Sequence, residues 1–133
     1  MVAVVVACVL GVGAGVAQAG STATRATHSV AGVRYTLDEW AKLLLSDQAK
    51  AACALLTAHG QKVWAQANSS KNCIEASTGD YKFLKKYPTD AKAIREYGDK
   101  EPVTIHGNTA TVPKLAGGDR RLLYIHNLWW IDS

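Results

Sequence analysis

The side chains able to do chemistry are few and scattered. Four histidines, His28, His59, His106 and His126, fall on a small polar stretch, a loop and two segments of alternating apolar residues. Only His106 and His126 can share a sheet face, and two ligands without a third make no ordinary metal site. Proton abstraction from a carbon acid needs a carboxylate held over an apolar pocket and a donor for the enolate oxygen. Asp38 and Glu39 are taken up by a helix start and Asp47 by the next. Asp80, Asp90, Asp99, Glu101 and Asp119 fall at turns or helix ends. Asp132, beside the last residue, is expected to be frayed and hydrated, with an ordinary pKa. Gly117-Gly118 joins two strands and opens no helix, so it is no phosphate loop, and no serine nucleophile elbow is present. No catalytic residue, metal or cofactor is assigned.

Charge narrows the partners. With 15 Lys and Arg against 11 Asp and Glu, the chain of 133 residues carries +4 at neutral pH. Lys82, Lys85 and Lys86 on one helix face, with Arg120 and Arg121, read as a solvated positive surface that could attract acidic envelope polymers or lipid headgroups. No aromatic stacking platform of the RNA-binding kind accompanies it, so nucleic acid is not expected as a partner. The four tryptophans, Trp40, Trp64, Trp129 and Trp130, are more than a small core needs. Strand alternation sends Trp129 and Trp130 to opposite faces. Trp129 is expected inward with Tyr124 or His126, Trp130 outward toward a partner. Trp64, Tyr124, His126 and Trp129 are the expected pocket-lining residues.

The elements that position these groups begin after Met1–Ala19, which carries no charged side chain. Val2 to Val16 supplies an apolar core and Ala17-Gln18-Ala19-Gly20 a small-residue cleavage site, so residues 1–19 read as a signal peptide cut after Ala19. Two alternatives stand beside it. Val5-Val6-Ala7-Cys8 satisfies a lipobox, and the apolar run is long enough for a retained anchor. Membrane attachment is expected only under one of these. Cleavage leaves about 110 residues, a single domain that is secreted or held in the cell envelope. Such a compartment oxidises thiols, so the two remaining cysteines, Cys53 and Cys73, are expected to form a disulfide; two buried free thiols are the alternative. The run GSTATRATHSVAG is small and polar, and residues 20–33 read as a disordered tether.

Residues 34–133 read as one α+β domain. Thr36 and Glu39 form a capping box, with Tyr35 and Trp40 as its hydrophobic staple, opening a helix whose buried face holds Trp40, Leu43 and Leu44. Ser46-Asp47 breaks it and caps a second short helix, Ala49 to Leu56, which His59-Gly60 stops. A third piece spans Gln61 to Ala67. Thr78 or Asp80 caps a helical turn that Pro88 ends, and Thr89 opens a further short helix with Ala91, Ile94 and Tyr97 on one side and Gly98 after it, with a strand over the same residues as the alternative. Beyond Pro102 the period changes to two. Val103 to Val112 is a hairpin turning at Gly107-Asn108, Ala116 to Asp119 a second turn, Arg121 to His126 a longer strand, and Trp129 to Asp132 the last.

This order, with Asp47-Gln-Ala-Lys-Ala-Ala-Cys53-Ala-Leu-Leu, Val103-Thr-Ile-His-Gly-Asn-Thr-Ala-Thr-Val112 and Trp129-Trp-Ile-Asp132, resembles the small exported proteins of the nuclear-transport-factor-two-like superfamily, which includes ketosteroid isomerases and SnoaL-like cyclases. The resemblance implies a cone-shaped fold, short helices packed in a curved antiparallel sheet around a cavity. It also implies a bridge between a cysteine of the second helix and one shortly after the third, matching Cys53 and Cys73. The expected function is binding without catalysis, of a small apolar ligand in the cavity or of an envelope protein on the sheet. An isomerase or cyclase acting on a polycyclic substrate is the alternative, and an exposed sheet face leaves room for a homodimer.

Overall fold

Five helices precede a four-stranded antiparallel sheet in the computed structural model, which describes residues 23–133. The expected leader, with Cys8, lies outside the described residues. The helices are α1 (Val30–Leu45), α2 (Ala49–Cys53), α3 (Ala58–Ala67), α4 (Cys73–Lys86) and α5 (Pro88–Lys100). The strands are β1 (Thr104–His106), β2 (Thr109–Pro113), β3 (Asp119–Ile125) and β4 (Leu128–Ile131), joined as a meander in sequence order. No described helix is long and apolar enough to cross a membrane.

Local chemistry explains most boundaries, and several differ from those expected. Helix α1 starts at Ser29, whose hydroxyl accepts from the Gly32 amide at 3.3 Å. Thr36 is therefore no cap. It lies inside the helix and its hydroxyl donates to the Gly32 carbonyl at 2.9 Å. The earlier cap prevails because the turn it adds brings Val33 into the core beside Leu37, Trp40, Ala41 and Leu44, each large side chain contributing about 1.5–3 kcal/mol by leaving water. The break after Leu45 stands where expected, with Asp47 in the left-handed region at φ 58°, but Gln48 precedes α2 and makes no side-chain cap.

Neither His59 nor Gly60 ends a helix. Leu55 and Leu56 leave α2 to lie alongside β4 in a short parallel bridge, with the Ile131 amide bonded to the Leu55 carbonyl at 3.0 Å and the Thr57 amide to the Ile131 carbonyl at 2.9 Å. Thr57 then caps α3 by accepting from the Gly60 amide at 2.9 Å. Gly60 is needed there for proximity. A Cβ at this position would lie 2.4 Å from the Ile131 carbonyl oxygen. Asn72 caps α4 through the Glu75 amide at 2.8 Å, giving a helix far longer than the single turn expected. Pro88 opens α5 at a position where its missing N–H costs nothing, and Gly98 sits inside that helix.

The hairpin of β1 and β2 has the expected register, Thr104 opposite Thr111 and His106 opposite Thr109. Strands β3 and β4 turn through His126-Asn127, both in the left-handed region at φ 52° and 61°, the turn geometry that suits strand twist. Alternation sends Ala110, Val112, Leu122, Trp129 and Ile131 to the helix-facing side, where all five are fully buried in one core with the helices. The sheet is neither curled around the helices nor closed. The expected cone is thus corrected to an open sheet with helices over one face, since four short strands supply too little sheet to wrap five helices.

Residues 24–29 are likewise no free tether. They run as a strap over the end of β4. The Trp129 amide donates to the Arg25 carbonyl at 2.9 Å, the Arg25 guanidinium donates back to the Trp129 carbonyl at 3.0 and 3.1 Å, and the Trp129 indole N–H reaches the Thr27 carbonyl at 2.9 Å. A polar segment stays ordered here by satisfying the edge of a sheet.

Cys53 and Cys73 are bonded to each other, joining the end of α2 to the first residue of α4.

Candidate functional site

A cavity of about 290 Å³ opens between the helices and one end of the sheet. Helix α1 contributes Trp40, α3 contributes Trp64, α5 contributes Ile94 and Tyr97, the β2–β3 loop contributes Leu115, and β3 contributes Arg120. This volume is at the lower end of the range of small-molecule sites, about 300–1,000 Å³.

Two indoles form the wall. Trp40 and Trp64 meet edge to face with centroids 5.3 Å apart, a geometry worth about 0.5–1.5 kcal/mol beyond burial. The Trp64 indole N–H donates to the Ser77 hydroxyl at 3.2 Å. Ser77 is itself buried and touches both sulfurs of the disulfide, Cys53 Sγ at 3.5 Å and Cys73 Sγ at 3.9 Å. The covalent bridge thereby braces one wall of the cavity.

Lys114 and Arg120 bring positive charge to the lining, and Arg120 sits among the aromatic rings. Its guanidinium carbon lies 5.1 Å from the Trp40 ring centroid, 5.8 Å from that of Tyr97 and 5.9 Å from that of Trp64, all within cation–π range. Nη1 donates to the main-chain oxygen of Ser133, the last residue of the sequence, at 3.3 Å, while Nε is buried with no hydrogen-bond partner. Among the described residues, no Asp or Glu side chain forms an ion pair with it. Burial pulls the guanidinium below its ordinary pKa, and the neighbouring Tyr97 phenol pulls the other way. Burial also raises the Tyr97 phenol, whose hydroxyl donates to the Pro113 carbonyl at 2.6 Å.

Of the expected pocket residues, Trp64 lines the cavity and the other three lie elsewhere. Trp129 is fully buried beneath the strap, where it packs on Tyr124 at 5.1 Å between centroids and on His28 at 5.3 Å. The Tyr124 hydroxyl is tied to the Ala26 carbonyl at 2.6 Å. His126 is exposed in the β3–β4 turn. Trp130 faces away from the core as expected, but Arg25 covers its ring at 4.5 Å. Arg120 was expected on the surface beside Arg121. Its position two residues before Leu122 and four before Tyr124, the helix-facing set of β3, is the signal that places it inside.

The carboxyls held furthest from their ordinary range stand off this cavity. Asp38, between α1 and α5, is raised to about 6 by burial and by the Asp99 carboxylate beside it. Asp80 is raised to about 6 by burial and lines an adjoining cleft of about 220 Å³. The cavity lining itself holds no Asp, Glu or His. Among the described residues, no group of three or more His, Cys, Asp or Glu could hold a metal ion. Compared with known proteins, the chain matches no family model, no curated protein and no solved structure.

Proposed function

We propose that this chain is an exported, non-catalytic binding domain that takes a small apolar molecule in the Trp40/Trp64 cavity. The lining carries the reading: large apolar and aromatic side chains around a concave site, few polar groups, and no Asp, Glu or His side chain to move a proton. Export rests on the charge-free leader and on the paired cysteines, which fit an oxidising compartment. Kinship with the nuclear-transport-factor-two-like superfamily belongs to the same proposal. It draws support from the order of helices before sheet and from a cavity between the two layers, and the open sheet weighs against a full cone.

The test is titration with N-phenyl-1-naphthylamine, a neutral apolar fluorophore. Its emission should rise on binding to the native chain, and the gain should be lost in Ala67→Trp, which places an indole at the mouth of the cavity. Absence of binding, or binding undiminished in Ala67→Trp, would defeat the reading.

A further inference from the structure

The C-terminal end of α4 keeps two apolar rings in solvent. Phe83 and Tyr87 are each 50% exposed, although they pack on each other with centroids 4.5 Å apart. Leu84, beside Phe83 in the chain, is the side chain of that turn that enters the core. We propose that this end of α4 docks on an anionic lipid surface, its two rings entering the headgroup layer while Lys82, Lys85 and Lys86 meet the phosphates. The attachment is independent of what the cavity holds, and it requires neither an acyl chain on Cys8 nor a retained leader.

Residues four apart lie one above the other on a helix. Lys82 and Lys86 therefore form one row and Phe83 and Tyr87 the row beside it, and all four, with Lys85, are exposed. The segment from Tyr81 to Tyr87 contains no acid, and among the described residues none of its three lysines forms an ion pair. Lys85 carries the charge into a cleft that it shares with Lys92 and Arg95 of α5. The acids nearby are partly withdrawn. Asp80 and Asp90 line the small cleft that Phe83 joins, with Asp80 Oδ2 buried, and Glu96 is paired with Lys92 and Lys100. Leu115 is 53% exposed in the same small cleft and extends the apolar patch.

Exposed lysines alone make a solvated face, and exposed rings alone leave the partner open. Set side by side they fit a bilayer surface, whose interfacial layer takes up aromatic rings and whose anionic phosphates attract lysines with their stems laid along apolar surface. An acidic polymer in water offers the charge without the layer.

The experiment measures binding of the full chain to vesicles of equimolar phosphatidylglycerol and phosphatidylcholine, with phosphatidylcholine alone as the comparison. The mixed vesicles should bind the chain more tightly, and salt at about 1 M, where the Debye length is about 3 Å, should release most of it. Changing Lys82, Lys85 and Lys86 together to Gln should weaken binding about 100-fold, at about five-fold per lysine. Paired Phe83→Ala and Tyr87→Ala should weaken it about ten-fold and leave binding to soluble polyglutamate unchanged. All five side chains are exposed, and unchanged melting temperatures confirm that the variants fold. Equal binding to both kinds of vesicle, or none to either, would overturn the proposal. Full binding by the ring variant would overturn it in favour of an acidic polymer, and dimerisation abolished by the ring variant, without vesicle binding, in favour of a second copy of the chain.

Discussion

The Arg121 guanidinium and the Asp132 carboxylate are paired across β3 and β4, with Nε 2.9 Å from Oδ2 and Nη2 on the same oxygen. The other oxygen accepts from the Thr57 hydroxyl at 2.7 Å. One buried carboxylate thus joins the last strand to its neighbour and to the cap of α3. Burial alone would raise its pKa, but the Thr57 hydroxyl and Arg121 outweigh it and hold the group below the ordinary carboxylate range. This corrects the expectation of a frayed, hydrated Asp132, which is 4% exposed. A folded-state pKa below the unfolded value contributes stability above the ordinary range and loses it as pH falls through the folded value. Asp132→Asn should therefore cost about 1–3 kcal/mol at pH 7, with the two chains converging as the solution is made acidic. Urea melts at pH 7 and pH 3 decide it, and a cost unchanged at pH 3 contradicts the assignment.

The bridge between Cys53 and Cys73 closes a loop with a sequence separation of 20. In the chain-entropy model that stabilises by about 3 kcal/mol, equivalent to a melting temperature roughly 10–20 °C higher in a domain of this size. Reduction, or paired Cys53→Ala and Cys73→Ala, should lower the melting point by that amount. Because Ser77 links both sulfurs to the Trp64 indole, reduction should also shift tryptophan emission before the chain unfolds. A melting point insensitive to reductant contradicts the first expectation, and an unchanged spectrum the second.

What could be read from the residues follows from the range of the forces involved. The β1–β2 hairpin was legible because strict alternation and Gly107-Asn108 encode it within ten residues, and the cysteine pairing followed from there being two partners. The start of α1 was not, because Ser29 and Thr36 both carry cap chemistry and only the packing of Val33 on the sheet decides between them. Gly60 looked like a helix stop, yet it serves a close approach to Ile131 that is invisible without the third dimension. Arg120 shows the opposite case: its inward orientation was available from the same alternation that separated Trp129 from Trp130, but its charge paired it with Arg121 as surface. The cavity depends on α1, α3, α5 and the β2–β3 loop meeting at one place, which no local pattern records.

The strap of residues 24–29 predicts protection where a disordered tether would show none. Trp129 donates its amide to Arg25 and its indole N–H to Thr27, and Tyr124 donates its hydroxyl to Ala26. Tyr124→Phe should cost about 1 kcal/mol, the net value of one hydrogen bond, and should speed exchange of the Trp129 amide without altering the β1–β2 amides. Hydrogen exchange read residue by residue checks this. A Trp129 amide that exchanges as fast as an open strand edge would mean that the strap does not hold in solution.

Asp80 carries a cost the fold accepts at neutral pH. Burial raises its carboxyl to about 6, and Oδ2 has no partner. Here the folded state keeps a proton that the unfolded chain has already lost, so its contribution is fully present in acid and disappears as pH rises through about 6. Asp80→Asn removes the charge at every pH. The variant should match the native chain near pH 4 and exceed it at pH 8 by about 1–2 kcal/mol, a figure discounted because the group is only half buried. Denaturant midpoints at the two pH values measure the difference, and an equal gain at both would show that shape rather than charge is responsible.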